Sequence, residues 1–135
     1  MNIDKKYIES INEFLIKEID PVFIYVFGSL AKGYFRDDSD IDVGFYPTEE
    51  IDSYKLFMIK EELADWLRRD VDLVNLKKSS TVFKVQVVCN GYEIYSKDEN
   101  ISTEFRIVSL KEYDLLNNNR KLILDRIKKE GKIYD

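Results

Sequence analysis

The chain has 135 residues, 44% of them hydrophobic, with two prolines and five glycines, which suits one folded domain with a real core and excludes a disordered segment. Its formal net charge of -5 argues against direct binding of long nucleic acids, which calls for a strongly basic face. Histidine is absent and Cys89 is the single cysteine, so a Ser-His-Asp triad, a histidine base, an internal disulfide and the usual zinc sites are excluded.

Residues 4–18 place Tyr7, Ile8, Ile11, Phe14, Leu15 and then Ile19 on one helical side, and Asp20-Pro21 ends that helix. The apolar run at 22–27 predicts the first strand. Ser29 to Gly33 predicts a short helix closed by Gly33. A polar loop at 34–39 leads into a second strand at 40–46, and Pro47-Thr48 turns the chain. Residues 49–68 read as a long helix with Leu56, Ile59, Leu63 and Leu67 on its apolar face and Trp66 in the core. A third strand follows at 69–76.

Ser79-Ser80-Thr81 can cap a helix, yet residues 82–88 alternate enough to pass for a strand, so both readings stand on pattern alone. Asn90-Gly91 is a turn signal, and 92–95 reads as a short last strand. The remainder, about 100–131, is rich in helix formers, with Asn117-Asn118-Asn119 as a place to bend or weaken. Phe105, Val108, Glu112, Leu115, Leu116, Leu122, Ile123 and Ile127 give a partial apolar stripe. Packing on the chain's own domain is the favoured reading of that stripe. A partner-binding surface is the other, because the sheet core can be nearly complete by residue 96. Tyr113 and Tyr134, two of nine tyrosines, carry no special status. The expected fold is α/β: one domain over 1–135, a small mixed sheet flanked by helices, a core over about 1–96 and a helical C-terminal region.

The chemistry concentrates in one segment. Gly28-Ser29 follows the first strand, ten residues separate Ser29 from Asp40, and Asp42 lies two beyond Asp40. A strand, glycine turn and short helix present backbone N–H groups and a hydroxyl to a phosphate. Asp40 and Asp42 project from one face of a strand, where they repel unless a cation or proton lies between them. Magnesium commonly takes one or two carboxylates plus substrate phosphates. Asp72, set among apolar residues, joins them if its strand pairs beside that of Asp40. It is preferred over Asp70 because Val71 and Leu73 face the other side. Three carboxylates can hold two metals about 3.5–4 Å apart for in-line displacement at phosphorus. Asp-x-Asp alone is common in acidic loops, and Gly-Ser after a strand is usually a turn; the spaced combination is what carries specificity.

That combination, from Gly28-Ser29-Leu30-Ala31-Lys32-Gly33 through Ser39-Asp40-Ile41-Asp42, resembles the minimal nucleotidyltransferase branch of the DNA polymerase beta-like nucleotidyltransferase superfamily. The motif covers about fifteen residues, and the order of elements extends the likeness over roughly the first hundred. The resemblance implies a MntA-type antitoxin that transfers AMP from ATP to a tyrosine of a HEPN-domain toxin. It also implies that Asp40, Asp42 and Asp72 are a catalytic triad binding two magnesium ions, with manganese as the alternative metal. Asp40 and Asp42 then bridge metal and triphosphate, and Asp72 binds the metal nearest the attacking hydroxyl. Gly28, Ser29, Lys32, Arg36 and Ser39 form the implied nucleotide and phosphate-binding set. Many members carry arginine after Gly-Ser; Leu30 stands here, and Lys32 supplies the positive charge instead. The same likeness favours a helix from the Ser79-Ser80-Thr81 cap to about Cys89.

Two other function classes fit the same residues. One is a catalytically silent module that neutralises a partner by contact. The other is a nucleotidyltransferase for a small molecule or an RNA end, although such enzymes usually add a substrate domain. The first residues lack a signal peptide's apolar centre and no apolar run is long enough to cross a bilayer, so the expected location is cytoplasmic, with no membrane partner.

Overall fold

The computed structural model describes residues 5–33, 36 and 39–129, with backbone alone from residue 119 onward. Helix α1 (Lys5–Ile19) leads into strand β1 (Phe23–Phe27), the one-turn helix α2 (Ser29–Lys32) and strand β2 (Ile41–Tyr46). Helix α3 (Ser53–Leu67), strand β3 (Val71–Asn75), helix α4 (Thr81–Asn90), strand β4 (Tyr92–Ser96) and helix α5 (Glu99–Lys129) complete the described chain. The strands form one mixed sheet in the order β3-β2-β1-β4. β1 pairs antiparallel with β2 and β4, and β2 pairs parallel with β3.

Alternation along the strands divides the core in two. Ile24 and Val26 of β1, Ile41, Val43 and Phe45 of β2, and Val71 and Leu73 of β3 face α1 and α3. There they meet Ile11, Leu15, Ile59 and Leu63, with Leu56 partly buried at the edge. On the opposite face Phe23 and Tyr25 pack with Leu76, Val87 and Phe105. Helix α3 starts four residues later than the apolar pattern predicts, because Asp52 caps it by accepting from the Lys55 N–H at 2.7 Å. The ambiguous run at 82–88 is helical. Ser80 accepts from the Phe83 N–H at 3.2 Å and starts α4, and Val85 and Val87 turn inward.

Three expectations need correction. Trp66 is not core: it is 48% exposed and touches Phe14 only edge-on, with ring centroids 5.6 Å apart. The sheet core is not complete by residue 96, since Phe105 of α5 lies 4.9 Å from Phe23 and 5.6 Å from Tyr46, centroid to centroid. The apolar stripe of α5 is also rotated from the buried face. Ser102 and Ser109 are buried beside Phe105, whereas Ile101, Val108 and Leu115 are exposed. α5 meets β4 near its start, with the hydroxyls of Ser96 and Ser102 at 2.6 Å, and then packs along α4, where its small buried serines face inward and the larger residues point outward. Residues 117–119 are helical like their neighbours. The side chains of Leu122, Ile123 and Ile127, and all of Tyr134, lie outside the described residues.

Candidate active site

The site grows from the C-terminal end of β1. Phe27 pairs with Asp42 of β2, and the chain then enters α2 through Gly28, whose φ is +69°. A side chain here would be strained. It would also have no room: a Cβ built on Gly28 would lie 2.0 Å from Oδ2 of Asp42. The glycine therefore lets the turn into α2 and the Asp42 carboxylate occupy adjoining space. No side chain caps α2, and the first N–H groups of a helical turn have no acceptor within it. The turn closes by Lys32 N–H donating to the Gly28 carbonyl at 3.1 Å and Gly33 N–H to Ser29. Gly33 takes the left-handed conformation predicted for it, with φ +80°.

Asp42 pairs in register with Asp72 across the parallel β2–β3 ladder, so the two side chains stand on neighbouring strands, on the face opposite α1 and α3. Asp40 precedes β2 on the same face by alternation. Burial pushes the Asp42 carboxyl up to about 6, and the charges of Asp72 and then Asp40 add to the effect. Asp70 contributes differently. Its carbonyl accepts from the Ile41 N–H at 2.9 Å and begins the ladder.

Four of the predicted residues line two separate recesses, and Ser29 and Arg36 line neither. Gly28 and Lys32 line one of about 310 Å³ with Phe27, Phe83, Gln86, Val87 and Asn90. Ser39 and Asp40 border another of about 590 Å³ with Glu61, Asp65, Arg68, Arg69 and Asp70. The Ser39 hydroxyl accepts from the Arg36 N–H at 2.9 Å, and Arg36 is exposed. Phe83, Gln86 and Asn90, which line the recess beside Gly28 and Lys32, are not singled out by the sequence. Their helix starts too far along the chain for local spacing to connect it with Gly28.

The donor set suits a hard cation, being all carboxylate oxygen. Among the described residues, no three acid side chains converge closely enough to chelate an ion by themselves. Burial and the neighbouring charges of Asp72 and Asp40 disfavour an ionised Asp42, and a cation would relieve that repulsion, so the residues fit a metal that arrives with an anionic substrate. No helix among the described residues is long and apolar enough to cross a membrane.

Comparison with known proteins agrees with this fold. Residues 9–100 match the family model described as polymerase beta, nucleotidyltransferase. The chain is 32% identical over 104 residues to the protein adenylyltransferase MntA of Shewanella oneidensis, covering 77% of this chain and 74% of that one. A crystal structure of a toxin-antitoxin with AMP-PNP superposes with a TM-score of 0.79 at 30% identity, over 90% of this chain and 98% of that one. A complex of the tri-AMPylated Shewanella oneidensis HEPN toxin with its MNT antitoxin gives a TM-score of 0.75 at 27% identity, over 92% and 98%. The chain belongs to the polymerase beta nucleotidyltransferase family.

Proposed function

We propose that this protein transfers AMP from ATP to a tyrosine hydroxyl of a HEPN-domain toxin and acts as the antitoxin of that pair, in the cytoplasm. The observation that carries the reading is the placing of Gly28, just past the end of β1, against Asp42 of β2, with Asp72 of β3 in register beside it. A backbone-lined phosphate turn abuts one carboxylate, and a second carboxylate stands beside it in register. The toxin complexes of its structural neighbours support the choice of partner.

Asp40, Asp42 and Asp72 would hold two divalent cations, magnesium or manganese, which supply charge neutralisation at the phosphates and lower the acceptor hydroxyl's pKa. The first-turn N–H groups at Ser29 and the Ser29 hydroxyl hold the terminal phosphates. Lys32, on the rim of the same recess, adds a positive charge. The recess lined by Phe27, Phe83, Gln86 and Asn90 receives the nucleoside. The tyrosine oxygen bonds to the α-phosphorus, the bond to the β-phosphate oxygen breaks, pyrophosphate leaves and the hydroxyl proton passes to solvent. Electrostatic stabilisation and in-line positioning supply most of the rate.

The test is to incubate the protein with its genomic HEPN neighbour and magnesium-ATP and record intact masses. One or more AMP units should appear on the neighbour's tyrosine with wild type and none with Asp42→Asn. Equal neutralisation by both forms without a mass change would replace this reading with neutralisation by contact.

A further inference from the structure

The turn between α3 and β3 carries a half-buried cation that reaches back to the residues just ahead of Asp40. Arg69 Nε donates to the Tyr7 hydroxyl at 3.1 Å, and the guanidinium carbon sits 5.5 Å from the centre of the Tyr7 ring. Arg69 Nη1 donates to the Ser39 carbonyl at 3.2 Å and also to the Arg36 carbonyl. Those two carbonyls belong to one closed turn. The Arg36 N–H donates to Ser39 Oγ at 2.9 Å, and the Ser39 N–H donates back to the Arg36 carbonyl at 3.1 Å. Two residues beyond Ser39, the Ile41 N–H donates to the Asp70 carbonyl at 2.9 Å. The backbone on either side of Asp40 is thus fastened to residues 69 and 70.

We propose that Arg69 is a positioning residue for the carboxylate cluster. By holding the Arg36–Ser39 turn against the start of β3, it sets the direction in which Asp40 leaves the chain beside Asp42, without touching the substrate. The inference rests on the reading of Asp40 as a metal ligand. Residue type matters here. A planar guanidinium reaches two carbonyls and a hydroxyl at once, whereas lysine offers a single point charge. The contact lies at the rim of the core, where Tyr7 packs against the cluster under α1 and α3 and is itself only partly buried. Of the two carbonyls it holds, that of Arg36 is exposed and that of Ser39 is part-buried.

Arg69→Lys and Tyr7→Phe in the full chain test this with two readouts. Amide exchange at Ser39 and Ile41 should quicken roughly tenfold in Arg69→Lys, from the loss of charge-assisted bonds, and by less in Tyr7→Phe. The amides of Ile24 and Val26 should not change. The magnesium concentration for half-maximal AMP transfer should rise about tenfold, with saturating magnesium restoring most of the rate at a temperature where both proteins are folded. Unchanged exchange at Ser39 and Ile41 would overturn the proposal, as would faster exchange with an unaltered magnesium requirement. If wild type transfers no AMP, the activity reading fails. Magnesium-ATP binding by calorimetry then takes the place of the second readout, and an unaltered affinity in Arg69→Lys overturns the proposal in the same way.

Discussion

Replacing Asp42 with asparagine should make the ligand-free protein more stable while abolishing its activity. In the folded protein the Asp42 carboxyl is pushed from 3.8 up to about 6. Between those values the folded state binds more protons than the unfolded state. Stability therefore falls as pH rises through that window, and the whole cost is present above it. At one pH step per about 1.36 kcal/mol the cost reaches about 3 kcal/mol. The carboxylate is only half-buried, and solvent screening reduces this to about 1–1.5 kcal/mol. Asparagine keeps the shape and cannot ionise. In chelator at pH 7.5, Asp42→Asn should gain about 1 kcal/mol, or roughly 4 °C in Tm for a chain of this size, and the gain should fade between pH 6 and pH 4. Magnesium-ATP should reverse the order, because ligand at about 100 times its Kd stabilises the wild type by about 2.7 kcal/mol. AMP transfer should fall by more than the roughly 10–100-fold lost when a mere supporting group of a metal site is removed. Urea denaturation across pH, with and without magnesium-ATP, measures all of this. A mutant less stable than wild type at pH 7.5, or a difference flat in pH, would refute the electrostatic argument.

Three further outcomes follow from the same geometry. Gly28→Ala should lose activity at least tenfold, because the added carbon displaces the Asp42 carboxylate. Its stability should drop by about 1–2 kcal/mol from the left-handed backbone, as read by thermal melts beside AMP-transfer rates. Asp72→Asn should abolish transfer and Asp70→Asn should not; the reverse pattern in the same assay would make Asp70 the third ligand. Val108→Asp and Leu115→Asp, on the exposed side of α5, should each weaken the complex with the HEPN partner by about tenfold in calorimetry while leaving the melting temperature within a few degrees of wild type.

The elements whose signals are local were legible in the sequence. The helical stripe of α1, the Asp20-Pro21 stop, Gly33 as a left-handed cap and the Asp40–Asp42 strand all depend on neighbours within a turn or two. Asp72 could also be chosen, because Val71 and Leu73 are apolar and must face the core if Asp72 faces away, and both are buried. Trp66 could not be read correctly. Its helix is amphipathic, but whether the ring lies inside depends on how closely α1 crosses, and Phe14 meets it only at the edge. The face that α5 buries was hidden for a related reason. Serines at 102 and 109 carry no hydrophobic signal, yet they are buried on the side of α5 that packs along α4, which leaves Val108 and Leu115 facing outward. The recess beside Gly28 brings Phe27 and Phe83 to 5.5 Å, a distance that no pattern along one segment encodes.

The two faces of the sheet differ in how completely they are covered, and that difference bears on the reaction. Helices α1 and α3 close one face, leaving Ile24, Val26, Ile41, Val43 and Phe45 fully inaccessible. On the other, α4 and α5 cover Phe23 and Tyr25, but Asp40 and Asp72 remain exposed. Transfer at phosphorus benefits when water is displaced from fixed charges, since electrostatic stabilisation strengthens as the surroundings become less polar. Among the described residues no segment folds over the acids to do this. Under the proposed reading the acceptor protein supplies that cover along with its tyrosine, so docking and completion of the site are one event. A free tyrosine or a short peptide should then be a far poorer acceptor than the folded toxin, with the loss appearing in kcat as well as KM. Comparable kcat values for peptide and folded toxin at saturating acceptor would show that the chain's own residues suffice.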